Sequence, residues 1–319
     1  MKNKGIVIFL ILLAIVVVAI IIGDFKSTRP DKQEENPFDL NMDAYRDVDP
    51  GLIKYKEAKN FKLDFKELDG IDYSNEKLYI IGDSIIQVID LNGRLISEIK
   101  LNDDPYCISV SEKIIYVGNE NSVSVYSEDG EFLSTLGPFT ENSVITSIDT
   151  WEGNIFIADA GARKVYHFNK EGEKIGEFEG KTGEEALHGF IIPSPYFDLA
   201  VNAFGDLWVV NPGKHALENY SFEGDLRSFW DVTSIQIDGF SGCCNPAHYT
   251  FLQDGSFVTS EKGMVRIKIY KPSGEFDCVV APPNKFKEEG HAPDVVSDNA
   301  GNIYALDFDK KMVRVFELK

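Results

Sequence analysis

The chain has five histidines and four cysteines among its 319 residues, and most of these reactive side chains fall in three loops. The first runs from His188 through Gly189 and Phe190 to Pro193, Ser194, Pro195 and Tyr196. The second is Ser241-Gly242-Cys243-Cys244-Asn245-Pro246-Ala247-His248, and the third is Glu289-Gly290-His291-Ala292-Pro293. Cys243 and Cys244 are neighbours, so their α-carbons lie about 3.8 Å apart across a trans peptide. Ordinary disulfides span about 4.4 to 6.8 Å, and a bond between neighbours would be strained and easily reduced. Three readings of the pair stay open: a vicinal disulfide forming a rigid apolar knob, soft metal ligands beside His248 or His291, and a structural or free-thiol role. Thiolate with imidazole suits zinc or copper rather than calcium, which gives His188, His248, His291 and Cys244 as a candidate ligand set. No Cys-x-x-Cys spacing supports a zinc signature. The wider set for ligand binding is Cys243, Cys244, Asn245, His248, Asn211, His215, Arg163 and Glu261, with Glu261 as a possible general base. Cys107 and Cys278 are expected as buried small hydrophobes. Gly-x-Ser-x-Gly, Walker and His-Glu-x-x-His motifs do not occur, so no catalytic residue is assigned.

The elements that must position these side chains repeat along the chain. Gly-x-apolar-aromatic-apolar, a short polar loop, a second apolar-aromatic run and a Gly turn recur six times. Examples are Ile115-Tyr116-Val117 with Val123-Ser124-Val125-Tyr126, and Gly205-Asp206-Leu207-Trp208-Val209 with Leu217-Glu218-Asn219-Tyr220. Period-two alternation and Asn-Gly or Asp-Gly turns make these hairpins. A short apolar strand precedes each copy, as in Phe197-Asp198-Leu199-Ala200-Val201, and another follows the Gly turn. Four strands in about 45 residues is one propeller blade, so the reading is an all-β, six-bladed β-propeller over residues 51–319. The last copy has three strands, and Phe61-Lys62-Leu63-Asp64-Phe65 is expected to supply its outermost one. With strands a to d running outward from the axis, the b–c and d–a loops share one face. That places His188, His215, His248, His291, Cys243 and Cys244 at one mouth, where propeller ligands bind. Phe240, Tyr196 and Trp230 are candidates to plug it. Asp159, Glu261 and Asp307 stand at repeat positions suited to capping a turn.

Gly153-Asn154-Ile155-Phe156-Ile157-Ala158-Asp159-Ala160-Gly161-Ala162-Arg163-Lys164-Val165-Tyr166-His167-Phe168 resembles the NHL repeat of six-bladed propellers. The resemblance covers about 265 residues, is strongest in the third to sixth copies, and is joined by the Gly-Cys-Cys-Asn-Pro loop. It implies a fold that serves enzymes, receptor ectodomains and scaffolds alike. His248 near Pro246 and His291 near Pro293 are similar in position to the zinc-binding histidines of peptidyl-hydroxyglycine lyases, which implies a metal at the mouth.

Gly5 to Gly23 is 19 residues without a charge, about 28 Å as a helix and enough to cross a bilayer core. The run is too long for a signal peptide and lacks a small-x-small cleavage site, so it is expected to stay as an anchor. Residues 1–4 carry Lys2 and Lys4, which places them in the cytoplasm and the propeller outside, periplasmic or extracellular. So short an N-terminus leaves no cytoplasmic output domain, and residues 24–50, with Pro30, Pro37 and Pro50, read as a flexible tether. The net charge of −20 repels phosphate backbones and excludes nucleic acid as a default partner. The expected function is an anchored binding or sensing module that takes a peptide, glycan or protein ligand at its Cys/His-rich mouth. The alternative is a zinc- or copper-dependent lyase or hydrolase, or a redox protein, using the same mouth.

Overall fold

A computed structural model describes residues 4–27, 42–181 and 189–319. Residues 28–41 of the expected tether lie outside the described residues, while its described ends are structured: residues 24–27 continue the first helix, and Met42–Tyr45 and Pro50–Leu52 form short helical turns. Helix α1, Lys4–Ser27, extends the apolar run by a turn. Its span Lys4–Asp24 has a mean hydropathy of 3.7 and is long and apolar enough to cross a membrane.

Asp43–Lys319 forms the second compact unit. Its first strand is β1, Tyr55–Lys62. The first blade is β2 (Gly70–Ser74), β3 (Lys77–Gly82), β4 (Ile85–Asp90) and β5 (Leu95–Lys100). The second is β6 (Cys107–Ser111), β7 (Ile114–Gly118), β8 (Val123–Ser127) and β9 (Phe132–Leu136). The third is β10 (Ile145–Trp151), β11 (Asn154–Asp159), β12 (Lys164–Phe168) and β13 (Lys174–Phe178). The fourth is β14 (Leu199–Val201), β15 (Leu207–Asn211), β16 (Ala216–Tyr220) and β17 (Leu226–Asp231). The fifth is β18 (His248–Phe251), β19 (Phe257–Glu261), β20 (Arg266–Tyr270) and β21 (Phe276–Ala281). The sixth is β22 (Asp294–Ser297), β23 (Ile303–Asp307) and β24 (Met312–Leu318), closed by β1 in the order β1-β24-β23-β22.

The closing strand is the expected one, displaced toward the N-terminus: it pairs Tyr55 with Leu318 and Lys62 with Met312, leaving residues 63–65 beyond it. The displacement follows from packing. Phe65 is buried with Ile71, Leu78 and Ile80 against the first blade, so it belongs to the seam between blades and not to the outer edge. Joining the two ends of the chain in one sheet removes an open edge from the ring.

Local chemistry sets the hairpins. Asn75 and Glu76 both have positive φ, the type I′ geometry that matches strand twist. The c–d turns need glycine for a second reason. A Cβ on Gly93 would come 2.3 Å from Phe61 Cδ1, and one on Gly274 would come 2.5 Å from Trp230 Cγ. Each turn therefore seats on the outermost strand of the blade before it. The core is divided among these seams, as where Tyr79, Ile81, Ile115 and Val117 meet between the first two blades.

Candidate functional site

Six innermost strands surround an axial cavity of about 120 Å³. Four of its carboxylates also join neighbouring blades. Asp72 Oδ2 accepts from Val110 N at 2.6 Å, and Asp149 Oδ2 accepts from Val201 N at 2.7 Å. Asp198 Oδ2 accepts from Tyr249 N at 2.9 Å, and Asp294 Oδ2 accepts from Ile71 N at 3.0 Å. In each case Oδ1 accepts from the next residue of its own chain. Between the third and fourth blades Ser147 Oγ adds a bond to Leu199 O at 3.1 Å. The innermost strands are thus fastened circumferentially through side chains, since their own backbone ladders run only outward.

Burial dominates the electrostatics. It pushes Asp72 up to about 8, and Asp149, Asp198 and Asp294 up to about 6, against the pull of the amide donors. Asp69, at the rim of the cavity, is raised to about 6 by burial and by the charges of Glu67, Asp104 and Asp83. The His248 imidazole is lowered by burial, which the Asp198 carboxylate opposes. Its Nδ1 stands 3.7 Å from Asp294 Oδ1, and Tyr196 meets the ring edge-on at a centroid separation of 5.7 Å. The cavity adjoins, at Asp72, Asp149 and Thr250, a wider funnel of about 460 Å³ among the a–b turns.

Around the b–c and d–a mouth, the sequence-derived residues are placed but not assembled. The described residues contain no group of three or more His, Cys, Asp or Glu arranged to hold a metal ion. His248 lies on the cavity wall, while His291 is engaged by Asp309, 3.2 Å from Nδ1 to Oδ1. His188 lies outside the described residues. Cys244 is fully buried at positive φ, Cys243 is exposed, and all four cysteines are unpaired thiols. Cys107 and Cys278 are buried, as expected. The expected ligands are separated because each loop is tied to its own neighbour. His215 Nε2 donates to Gly242 O at 2.7 Å, with Nδ1 3.0 Å from Thr233 Oγ1. Asn245 Nδ2 donates to Ser241 O and Lys262 O, and its Oδ1 accepts from Lys262 N. The Cys-Cys loop is therefore tied into the mouth from two blades.

The other candidates divide. Asn211 is buried, donating to Glu218 and accepting from Ile191 N at 2.9 Å, so it braces a loop. Arg163, at positive φ, borders a separate surface cleft with Phe190 and Pro193. Glu261 is fully buried and bonds Arg266 Nε and Lys268 Nζ at 2.8 Å each, so it presents no base to solvent. Asp159 and Asp307 accept turn amides from Ala162 and Lys310, as expected. Trp230 and Phe240 stack on each other and pack at a tilt against Tyr270 away from the cavity wall, leaving Tyr196 as the aromatic beside His248.

The axial acids went unread in the sequence. Their signal was present: an Asp inside a short apolar strand, as in Gly70-Ile71-Asp72-Tyr73 or Phe197-Asp198-Leu199, where burying a charge is costly unless something answers it.

No family model matches the chain, and no curated protein matches it. Among solved structures, a protein of unknown function from Bacteroides thetaiotaomicron is similar at 16% identity and a TM-score of 0.59, over 82% of this chain and 72% of that one. Virginiamycin B lyase from Staphylococcus aureus is similar at 15% identity and a TM-score of 0.57, over 83% of this chain and 100% of that one. The WD40 propeller domain of Doa1 is similar at 16% identity and a TM-score of 0.53, over 79% of both chains. At these identities the likeness is one of fold: the chain is a six-bladed β-propeller that follows one helix able to span a membrane.

Proposed function

We propose that this chain is a single-pass anchored propeller of NHL type, displayed outside the cytoplasmic membrane, that holds a peptide, glycan or protein ligand at the b–c and d–a mouth. The observation that carries the reading is an axial cavity bordered by Asp69 and His248 and framed by loops that are braced from neighbouring blades. A rigid rim around a polar recess suits recognition, because little ordering entropy is lost on binding. The metal-dependent alternative needs ligands that converge, and the described candidates form no group of three or more placed to hold an ion.

The test is position-dependent crosslinking of the full chain in its native membrane. A photo-crosslinking residue in place of Tyr106, which is 43% exposed beside the cavity, is expected to give a discrete adduct. The same residue in place of Phe229, 60% exposed on the outermost strand of the fourth blade, is expected to give none. Adducts only from Phe229 would move binding to the circumference and overturn the reading. Protease added to spheroplasts, whose cytoplasmic membrane alone is sealed, is expected to degrade the propeller, and protection that is lost only on detergent lysis would reverse the orientation.

A further inference from the structure

Five carboxylates and one imidazole share the axial cavity, and no Lys or Arg among the described residues lines it. The four blade-joining carboxylates are explained in part by their amide bonds. Each carboxylate has about four acceptor positions and uses two of them on backbone amides, so acceptor capacity remains toward the cavity. Asp69 differs, because its carboxylate makes no hydrogen bond to any described residue and serves no joint.

A second observation comes from the second blade. Alternate residues of each innermost strand face the blade that follows. In the first blade this includes Asp72, which reaches Val110 N, and in the third it includes Asp149, which reaches Val201 N. In the second blade Cys107 packs toward the third with Ile145 and Ile155, so Ser109, two residues on, occupies the place that Asp72 and Asp149 hold. Ser109 is only 4% exposed and lines the cavity, and its hydroxyl has no hydrogen-bond partner among the described residues. Its oxygen is not among the fully enclosed polar atoms that lack a partner, so it stands open to the cavity as an acceptor and donor that no neighbouring blade uses.

We propose that the axial cavity is a receptor for one organic cation, an alkylammonium or guanidinium head, with Asp69, Asp72, Asp149 and Ser109 as its principal acceptors. The proposal rests on the binding reading above and names the chemistry of its ligand. The acids are spread around the axis rather than gathered into a compact trio. That arrangement suits a group carrying three to five divergent N–H donors better than a small ion needing close oxygens. The volume of about 120 Å³ admits such a head with a few waters. Burial has already raised the pKa of these acids, and an entering cation supplies the counter-charge that ionises them. The head can belong to a free small amine or to a Lys or Arg side chain of a peptide.

The experiment is calorimetric titration of the full chain in lipid nanodiscs with butylguanidinium, butylamine, spermidine and an acetylated Arg-containing tripeptide, with N-butylacetamide as the neutral control. The cations are expected to bind and the control is not. Binding of the tripeptide alone assigns the head to a peptide, and binding of the free amines assigns it to small molecules. Asp69→Asn, which breaks no blade joint, is expected to weaken binding roughly 10- to 100-fold, the loss of one charged hydrogen-bond partner. Ser109→Ala should fold normally and weaken binding several-fold. Equal affinity for the neutral control, or unchanged affinity in Asp69→Asn, would overturn the proposal. Crosslinking from Tyr106 separates the two ideas: adducts that persist in saturating butylguanidinium refute the cation site and leave the mouth as a binding surface. Cation binding without any adduct refutes the mouth reading alone.

Discussion

Two of the buried charge groups in this ring are built on opposite principles. In the fifth blade Glu261, Arg266 and Lys268 are all fully buried, and the two cations answer the carboxylate directly. Lys268 Nζ also donates to Gly239 O and Tyr270 Oη at 2.6 Å, and burial pulls its pKa down to about 7. That cluster carries its own counter-charge and is closed to solvent. At the axis, carboxylates face one another across a cavity with a single imidazole for company, and burial raises their pKa values instead. A charge group complete within the chain is structural. A group of one sign that opens on a cavity is incomplete until something enters.

The largest effect should come from breaking the complete group. Glu261→Ala leaves Arg266 and Lys268 buried without a carboxylate, which costs about 3–5 kcal/mol. Thermal unfolding of the full chain measures it, and a change under about 0.5 kcal/mol would mean that the cluster is not the pin described here.

The axial group should reveal itself through pH. A carboxyl whose folded pKa is raised binds more protons folded than unfolded, so its stabilisation is present at low pH and is lost as pH rises through the folded value. For Asp69, Asp149, Asp198 and Asp294 the loss runs from about 4 to about 6, and for Asp72 it continues to about 8. His248, lowered, works the other way below its ordinary value, and Lys268 does so above about 7. The raised acids outnumber both between pH 7 and 5, so the melting temperature should rise as pH falls across that window. Asp72→Asn should remove part of that rise, and a melting temperature that falls instead would contradict the axial account.

Smaller still is any loss of stability from Asp69→Asn in the empty protein, expected under about 0.5 kcal/mol because its carboxylate joins no blades. Above about pH 6 the change should stabilise rather than destabilise, since burial disfavours the ionised carboxyl. A larger loss would make Asp69 structural and blur the contrast. The smallest effect concerns the mouth itself. One thiol, Cys243, should react rapidly with a maleimide in the folded chain, and three more only after unfolding. Rapid reaction at Cys244 would show that its loop opens.

The repeat, the six blades, the face on which the long loops gather and the buried Cys107 and Cys278 were all legible in the sequence, because each depends on local periodicity or on which loop joins which strand. The closing strand was read six residues from its true start and three from its true end, since alternation alone does not distinguish an edge strand from the seam filled by Phe65. The site was harder. Histidine and cysteine drew attention to the mouth, but whether His248, His291 and Cys244 converge depends on partners such as Asp309 and Asp294, which stand on other strands or loops and are brought up only by the fold. The axial acids were hidden by the opposite problem. Each is one unremarked Asp in its own strand, and only closure of the ring places them around one space.

The most direct test is the proton count on binding. Butylguanidinium should be titrated into the full chain at pH 7 in buffers of differing ionisation enthalpy. Raised carboxyls that ionise as the cation enters should release protons, so the observed heat should depend on the buffer in the direction of release. Binding with no proton release, or with proton uptake, would contradict the claim that the axial acids await an external cation.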